Sequence, residues 1–441
     1  MTNRKLVSIE QGMEILNQVA SSFNIVTISR IKGFFSGEIL RQALDLLQSR
    51  HERLNYHIVG SSDNLSFEKE GTQTIPLRVV EKLHERDWQE IVYSEQNEKI
   101  ASSQCLMRVV LVLDREEKEI SHLITTIHHA IADGFSNIYL HQEILTYCDK
   151  ISCGEEILSV SRLPALPPVT ELIAKSSELP DKLRSLLLIL QLQWKRIWYR
   201  PQSLEIEKSV AFESRRSQVI FAELDAQITE KLVAICRKEK TSVQGALCAA
   251  MLLAVARKIN IKNKSSAYFT CQSYVDLRDR LQPPLSKEHL AALIAPATTF
   301  HLLKPETSFW HLAREVKENL EKQIQRGDIF LIMPVLRQMV EFFLAHPQEV
   351  PVSIGVSNLG RLNISQNYRL FELEAIRFLP AQAAYSGIFT ATVNTFAGKM
   401  LLNFPYSEPS LSHETMETIV NSTLSILVAA CEEKPELAVV R

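Results

Sequence analysis

The sequence predicts an α/β protein made of two units that share one plan. Two observations carry this. Runs of β-branched and apolar residues alternate along the chain with segments of helical apolar spacing. A stretch holding Pro164, Pro167 and Pro168, which cannot continue a helix, interrupts that series, and beyond it strands and helices begin again. The 441 residues are long for one core and comfortable for two of about 200 residues each.

Residues 8–19 have the spacing of a short amphipathic helix, and 24–35 alternate as a strand through Ile25, Val26, Ile28 and Ile31. Ser36 is a fitting N-cap for a helix whose apolar face is Ile39, Leu40, Ala43, Leu44 and Leu47. Strands are expected near 54–59, 77–81 and 104–113. The last joins a further strand, Leu123 to Ile127, through the polar turn Asp114-Arg115-Glu116-Glu117. That strand stops at His128 and His129, and Asp133-Gly134 opens a helix to about Cys148. After Pro180 an apolar segment runs from Leu183 to Tyr199, with Trp194 and Trp198 beside Lys195, Arg196 and Arg200.

The second half repeats the architecture without repeating the sequence. It reads as a strand near 217–224, helices 226–239 and 242–258, strands near 266–276 and 296–303, helices 307–326 and 330–345, and a strand at 352–358. A hairpin of 387–396 with 399–405 turns on Gly398, and a helix covers 412–431. The expected division is residues 1–160, a linker and apolar helix over 161–205, and a second domain over 206–441.

Apolar residues make up 46% of the chain and charged residues 23%, an ordinary globular composition. Lys plus Arg number 49 and Asp plus Glu 51, so a net charge of −2 makes no electrostatic case for nucleic acid as a partner. The seven cysteines stand singly without a CxxC pair, which argues against a zinc site or a disulfide framework and fits a reducing compartment. The opening MTNRKLVSIEQ is too polar for a signal peptide, and no run reaches the roughly 18 apolar residues a membrane span needs. The expectation is a cytoplasmic monomer.

Chemistry concentrates at His128, His129, Asp133 and Gly134. Imidazole, with an ordinary pKa of about 6.5, is suited to moving a proton near neutral pH. His129 can take the proton of an alcohol or amine as that group attacks an acyl carbonyl. Neighbours on a strand face opposite ways, so one histidine should be catalytic and the other, His128, structural. No GxSxG is present, which leaves an acyl-enzyme unsupported and direct attack in a ternary complex the simpler route. Asp133 either orients the imidazole or braces the loop through a distant cation, and Gly134 lets the backbone pass tightly at a helix start. A lone histidine in an apolar setting is more often a packed core residue; the pair and its spacing set these two apart. A metal is not expected, because His129 and Asp133 lack a third ligand at a recognisable spacing and there is no HExxH.

The stretch Ser121–Ser136, SHLITTIHHAIADGFS, with its HHxxxDG pattern, resembles the signature of a large acyltransferase superfamily. It includes chloramphenicol acetyltransferase, plant BAHD acyltransferases, nonribosomal-peptide condensation domains and the polyketide-associated acyltransferases of the phthiocerol dimycocerosyl transferase type. The last are the nearest in pattern. Ile31–Ile58, IKGFFSGEILRQALDLLQSRHERLNYHI, is similar to the family's N-terminal strand–helix–RHExLR segment, with Asn55 standing where arginine is usual. Thr241–Ala254 (TSVQGALCAAMLLA), Tyr274–Leu281 (YVDLRDRL) and Val356–Leu362 (VSNLGRL) are similar to later family segments in the same order.

This resemblance implies two chloramphenicol-acetyltransferase-like α/β domains forming a V-shaped pseudodimer, with one active site in a tunnel at their junction. It implies that Asp133 pairs with Arg278 of the second domain and so joins the two domains. It also implies that Ser357 and Asn358 lie in a loop close to the tunnel, where they either bind the thioester oxygen or form an ordinary turn. The donor would be acyl-CoA or an acyl carrier protein bearing phosphopantetheine, with no covalently bound cofactor. The acceptor would be a hydroxyl in lipid or secondary-metabolite synthesis, since VDLRDRL is closer to the ester-forming members. A freestanding condensation enzyme forming an amide is the alternative. A degenerate binding module is the third, and the intact His-His, Asp and Gly argue against it. The 183–199 segment reads either as a helix packed across the domain junction or as a peripheral membrane contact.

Overall fold

The structure, a computed structural model, describes residues 3–21, 23–61, 64–82, 84, 87–114, 120–173, 181–260 and 266–432. The turn expected at Arg115-Glu116-Glu117 and the boundary at Pro180 lie outside the described residues.

In chain order the first elements are β1 (Arg4–Lys5), α1 (Ser8–Ala20), β2 (Ile25–Gly33), α2 (Gly37–Arg50), β3 (His57–Val59), β4 (Ser66–Glu68), β5 (Leu77–Lys82), α3 (Asp87–Asn97), β6 (Met107–Asp114), β7 (Ile120–Ile127), α4 (Gly134–Ser152) and α5 (Val169–Leu172). Next come α6 (Asp181–Tyr199), β8 (Arg216–Leu224), α7 (Ala226–Lys238), α8 (Val243–Lys258), β9 (Ala267–Asp276), β10 (Ile294–Leu303), α9 (Phe309–Arg326), α10 (Asp328–Leu331) and α11 (Leu336–Ala345). The series ends with β11 (Ile354–Arg361), β12 (Phe371–Pro380), β13 (Phe389–Phe396), β14 (Lys399–Glu408) and α12 (His413–Cys431).

Two compact units emerge, each assembled from three stretches of chain. The first takes Met1–Ala174, Leu277–Leu293 and Arg361–Ala381; the second takes Lys175–Asp276, Ile294–Gly360 and Gln382–Arg441. The contiguous division drawn from the sequence does not contain these two returns of the later chain to the first unit.

In the first unit a five-stranded sheet runs in the order β12-β2-β7-β6-β5, antiparallel except between β5 and β6. The motif strand β7 is central, and every one of its residues is buried. Leu123, Ile124 and Ile127 fill the two faces with apolar side chains, while the buried hydroxyls of Thr125 and Thr126 are hydrogen-bonded, to His141 Nε2 at 2.7 Å and Glu95 Oε2 at 2.6 Å. Helix α4 packs on α2, β2 and β12, while α3 packs on β2 and β7. Ser36 caps α2 as expected, its hydroxyl accepting from the Ile39 N–H at 3.3 Å.

Strand β12 was not foreseen. Its apolar residues Phe371 and Leu373 alternate, but a register shift between Leu373 and Ala375 moves the alternation to Ile376 and Phe378. A bulge of this kind breaks the period of two on which strand recognition rests. The strand expected over 54–59 is shorter, because Glu52–Asn55 form a 3₁₀ turn before β3.

The second unit carries a six-stranded sheet in the order β10-β9-β11-β13-β14-β8. Its centre is α8, where every side chain from Ala246 to Ala256 is buried and α7, α9 and α12 pack around it. A helix apolar on all sides is a core helix. The single helix expected over 330–345 is instead α10, a 3₁₀ turn at Met333–Val335 and α11. Pro334 sits in that break, where it lacks an N–H for a continuous helix.

Candidate active site

Beyond Ile127 the chain leaves β7, and the His128 N–H donates to the Leu106 carbonyl at 2.9 Å. The Ile131 N–H then closes a turn on the His128 carbonyl at 3.0 Å, and Asp133 caps α4. The two histidines part ways within this turn.

His128 is fully buried. Its Nδ1 accepts the Ala130 N–H at 3.1 Å, so the ring proton sits on Nε2 and is donated to Glu14 Oε2 at 2.8 Å. Glu14, on α1, is only 5% exposed and also accepts from Gln18 Nε2 at 2.8 Å and Ser102 Oγ at 2.7 Å. Burial alone would raise its carboxyl pKa, but the hydrogen bonds from His128, Gln18 and Ser102 bring it below the ordinary value. Sequence reasoning missed Glu14. A signal was available: Glu10, Glu14 and Asn17 are polar residues on the buried side of an otherwise amphipathic α1.

His129 is 6% exposed, and its Nδ1 lies 2.7 Å from the Ala132 carbonyl oxygen. A carbonyl can only accept, so Nδ1 carries the proton and Nε2 holds a free lone pair in the neutral ring. Burial pushes the imidazole pKa below its ordinary 6.5; the nearby Asp133 charge and the bond to Ala132 oppose this in part. The ring is therefore neutral at neutral pH. Phe23 stacks beside it, with centroids 6.5 Å apart.

Asp133 is occupied elsewhere. Arg278 grips it with two hydrogen bonds, Nη1 to Oδ2 at 2.9 Å and Nη2 to Oδ1 at 3.0 Å. The Leu293 N–H donates to Oδ2 at 3.0 Å, and Ser136 donates its N–H at 2.9 Å and its hydroxyl at 3.0 Å to Oδ1. Desolvation would raise the carboxyl pKa, and Arg278 above all holds it below the ordinary range. Of the two readings open in the sequence, the geometry matches the brace: the carboxylate fixes the loop, and a main-chain carbonyl holds the His129 ring. Arg278 does pair with Asp133. The expectation that this pair joins two domains needs correction, because Leu277–Leu293 belongs to the first unit and the pair closes within it.

Gly134 is required by a close approach. A Cβ there would lie 2.7 Å from Phe378 Cε2 on β12, in an aromatic ring that is itself buried. Two turns further along the same face of α4, His141 is held between Ser29 Oγ at 2.8 Å and Thr125 Oγ1 at 2.7 Å. Burial lowers its pKa to about 3, which keeps it neutral.

Ser357 and Asn358 stand on strand β11 of the second unit, not in a loop. Neighbours on a strand point to opposite faces, so the two do not form one donor pair. Asn358 Oδ1 accepts the Gly360 N–H at 2.8 Å, at the end where the strand runs out.

A family model described as the condensation domain matches residues 3–263, and one described as the phthiocerol/phthiodiolone dimycocerosyl transferase C-terminus matches 213–398. No curated protein matches. Among solved structures, polyketide synthase associated protein 5 from Mycobacterium tuberculosis is 18% identical with a TM-score of 0.71, covering 98% of each chain. The TRI3 trichothecene 15-O-acetyltransferase from Fusarium sporotrichioides is 12% identical with a TM-score of 0.80, covering 97% of this chain and 95% of that one. The first condensation domain of the calcium-dependent antibiotic synthetase, in complex with a substrate analogue, is 11% identical with a TM-score of 0.70, covering 99% and 98%. At these identities the likeness concerns the fold, which extends over the whole chain as a chloramphenicol-acetyltransferase-like pair of α/β units.

Proposed function

The chain belongs to the condensation-domain family, and from that premise we propose that it is an acyltransferase moving an acyl group from a thioester to a hydroxyl, with His129 as general base. The observation that carries this reading is the tautomer of His129: Nδ1–H is given to the Ala132 carbonyl, which leaves Nε2 basic in a buried, neutral ring. Nε2 takes the proton of the acceptor hydroxyl as its oxygen attacks the thioester carbonyl. The carbon–sulfur bond then breaks, an ester remains, and the imidazolium returns the proton to the departing thiolate as a thiol. No covalent acyl-enzyme is required.

The donor is acyl-CoA or an acylated carrier protein, which present the same thioester. A hydroxyl acceptor is favoured by the fold likeness to an O-acetyltransferase and by the match to a dimycocerosyl transferase C-terminus. The condensation-domain match over 3–263 favours a second reading, in which an amine is the acceptor and an amide is formed.

The test is to incubate the protein with acyl-CoA and a set of alcohols and amines, following free thiol and product mass. Thiol release that depends on an alcohol, with ester formed and protein mass unchanged, is the expected result. Amide formation alone selects the second reading. A stoichiometric acyl adduct on the protein, or no thiol above the protein-free rate, overturns the proposal.

A further inference from the structure

Helix α6, in the second unit, shows two unlike faces. Its inner face is firmly seated: Ser185 is fully buried, Tyr199 stacks on Tyr268 at 4.2 Å, and Arg196 Nη1 donates to the Pro351 carbonyl at 2.6 Å. Its outer face is apolar and open. Leu183, Leu186, Leu190, Trp194, Ile197 and Trp198 are all exposed, Ile197 at 70% and Trp198 at 69%. At 100° per residue these positions share an arc of about 120° along the whole helix. Single exposed apolar residues are normal on any protein, but a continuous stripe of this length marks a surface that meets something.

The charge around the stripe says what it meets. From Leu183 to Leu204 the chain has no Asp or Glu and four cations, Arg184, Lys195, Arg196 and Arg200, within a protein of net charge −2. At the C-terminal end of the stripe, Ile197 and the exposed Phe342 border a cleft of about 420 Å³ that Arg196 and Arg200 also line, with Glu349 as its acid. Paired tryptophans beside cations on an apolar face are the composition of a helix lying in a lipid–water interface. Among the described residues no helix is long and apolar enough to cross a membrane, so this one would lie on the surface. Pairing of two copies through the same face would instead add cation to cation, while Glu349, the acid of the cleft, is already engaged by Arg196 at 3.2 Å, which is unfavourable.

We propose that the outer face of α6 docks on an anionic lipid bilayer, with the Leu183–Trp198 stripe in the acyl–headgroup boundary and the exposed Arg200 at the headgroups. This is independent of the acyl-transfer reading, because no residue of the His129 site takes part.

The experiment is flotation of the full chain with vesicles of phosphatidylcholine and phosphatidylglycerol in equal parts, and with phosphatidylcholine alone. Sedimentation velocity without lipid runs in parallel. The protein should float with the anionic vesicles, less so at high salt, and poorly with the neutral ones. The double variant Ile197→Ser/Trp198→Ser should lower the partition coefficient at least about tenfold, since each large apolar side chain contributes strongly when buried. Arg200→Glu, at an exposed position, should weaken binding to the anionic vesicles only, and supplies the answer if the double variant proves unfolded by thermal melting. Equal binding to both vesicle types, binding unchanged in the variants, or no binding overturns the proposal. So does a dimer in lipid-free sedimentation that Ile197→Ser/Trp198→Ser abolishes, which would make the stripe an interface between copies.

Discussion

Helices α4 and α8 occupy comparable places in the two units, each packed against a sheet and each capped by a side chain on its own backbone. Asp133 caps α4 through the Ser136 N–H, and Ser242 caps α8 through the Gly245 N–H at 3.1 Å. The resemblance ends with the first turn. Helix α8 buries only apolar side chains from Ala246 to Ala256, and its cap meets a local backbone amide. Helix α4 buries Ser136, Asn137 and His141, and its cap is a carboxylate gripped by a buried arginine 145 residues away. An apolar core tolerates repacking, whereas a buried polar network is satisfied in one arrangement only. The first unit has thus built a buried polar network into the helix that follows its His128–Asp133 loop, and the second has kept its central helix apolar.

The largest effect that tests this contrast is on turnover. His129→Ala should lower acyl transfer by about 10²–10⁴-fold with folding nearly intact. In the parent enzyme the rate should rise with pH through a midpoint below 6.5, because burial lowers the His129 pKa and the base must be neutral. Stopped assays across pH check both, and a midpoint above 6.5 would contradict the buried, neutral ring.

Next is the brace. Asp133→Ala and Arg278→Ala should each cost about 3–5 kcal/mol of stability, because either leaves a buried charge without its partner. The double variant should lose less than the sum. The Asp133 contribution is present above the ordinary carboxyl pKa of 3.8 and is lost as pH falls through the lower value of the folded state. As the comparator in α8, Leu253→Ala should cost about 2–5 kcal/mol while leaving the pH–rate midpoint in place. Chemical denaturation of the four variants checks the set, and additive losses for Asp133 and Arg278 would break the pairing.

The smallest effect concerns Glu14. Glu14→Gln retains an acceptor for His128 Nε2–H but loses the charge, so it should cost about 1–2 kcal/mol, the difference between a charge-assisted and a neutral hydrogen bond. Glu14→Ala should cost more, since His128 is then left buried with an unmet donor. If Glu14→Gln and Glu14→Ala melt alike, the carboxylate does not hold the histidine.

The sequence alone determined whatever is written in local chemistry. The β-branched run into two histidines marked the end of a buried strand, Asp-Gly marked the start of a helix, and uninterrupted apolar residues marked α8 as a core helix. Which nitrogen of each histidine is free was beyond its reach, because that depends on Ala130, Ala132 and Glu14 as they stand in space. The same holds for Arg278, which family resemblance could point to but spacing could not, and for its place in the first unit. Strand β12 was hidden for a different reason: its bulge scrambles the alternation, and its partner β2 lies more than 300 residues earlier in the chain. The sequence likewise showed an apolar α6 without saying which face was covered. Only the seating of Ser185, Arg196 and Tyr199 turned the tryptophans outward. Periodicity and caps act over one or two turns of chain and can be read in one dimension. Tautomers, buried ion pairs and exposed faces are set by groups that meet only after the chain has folded.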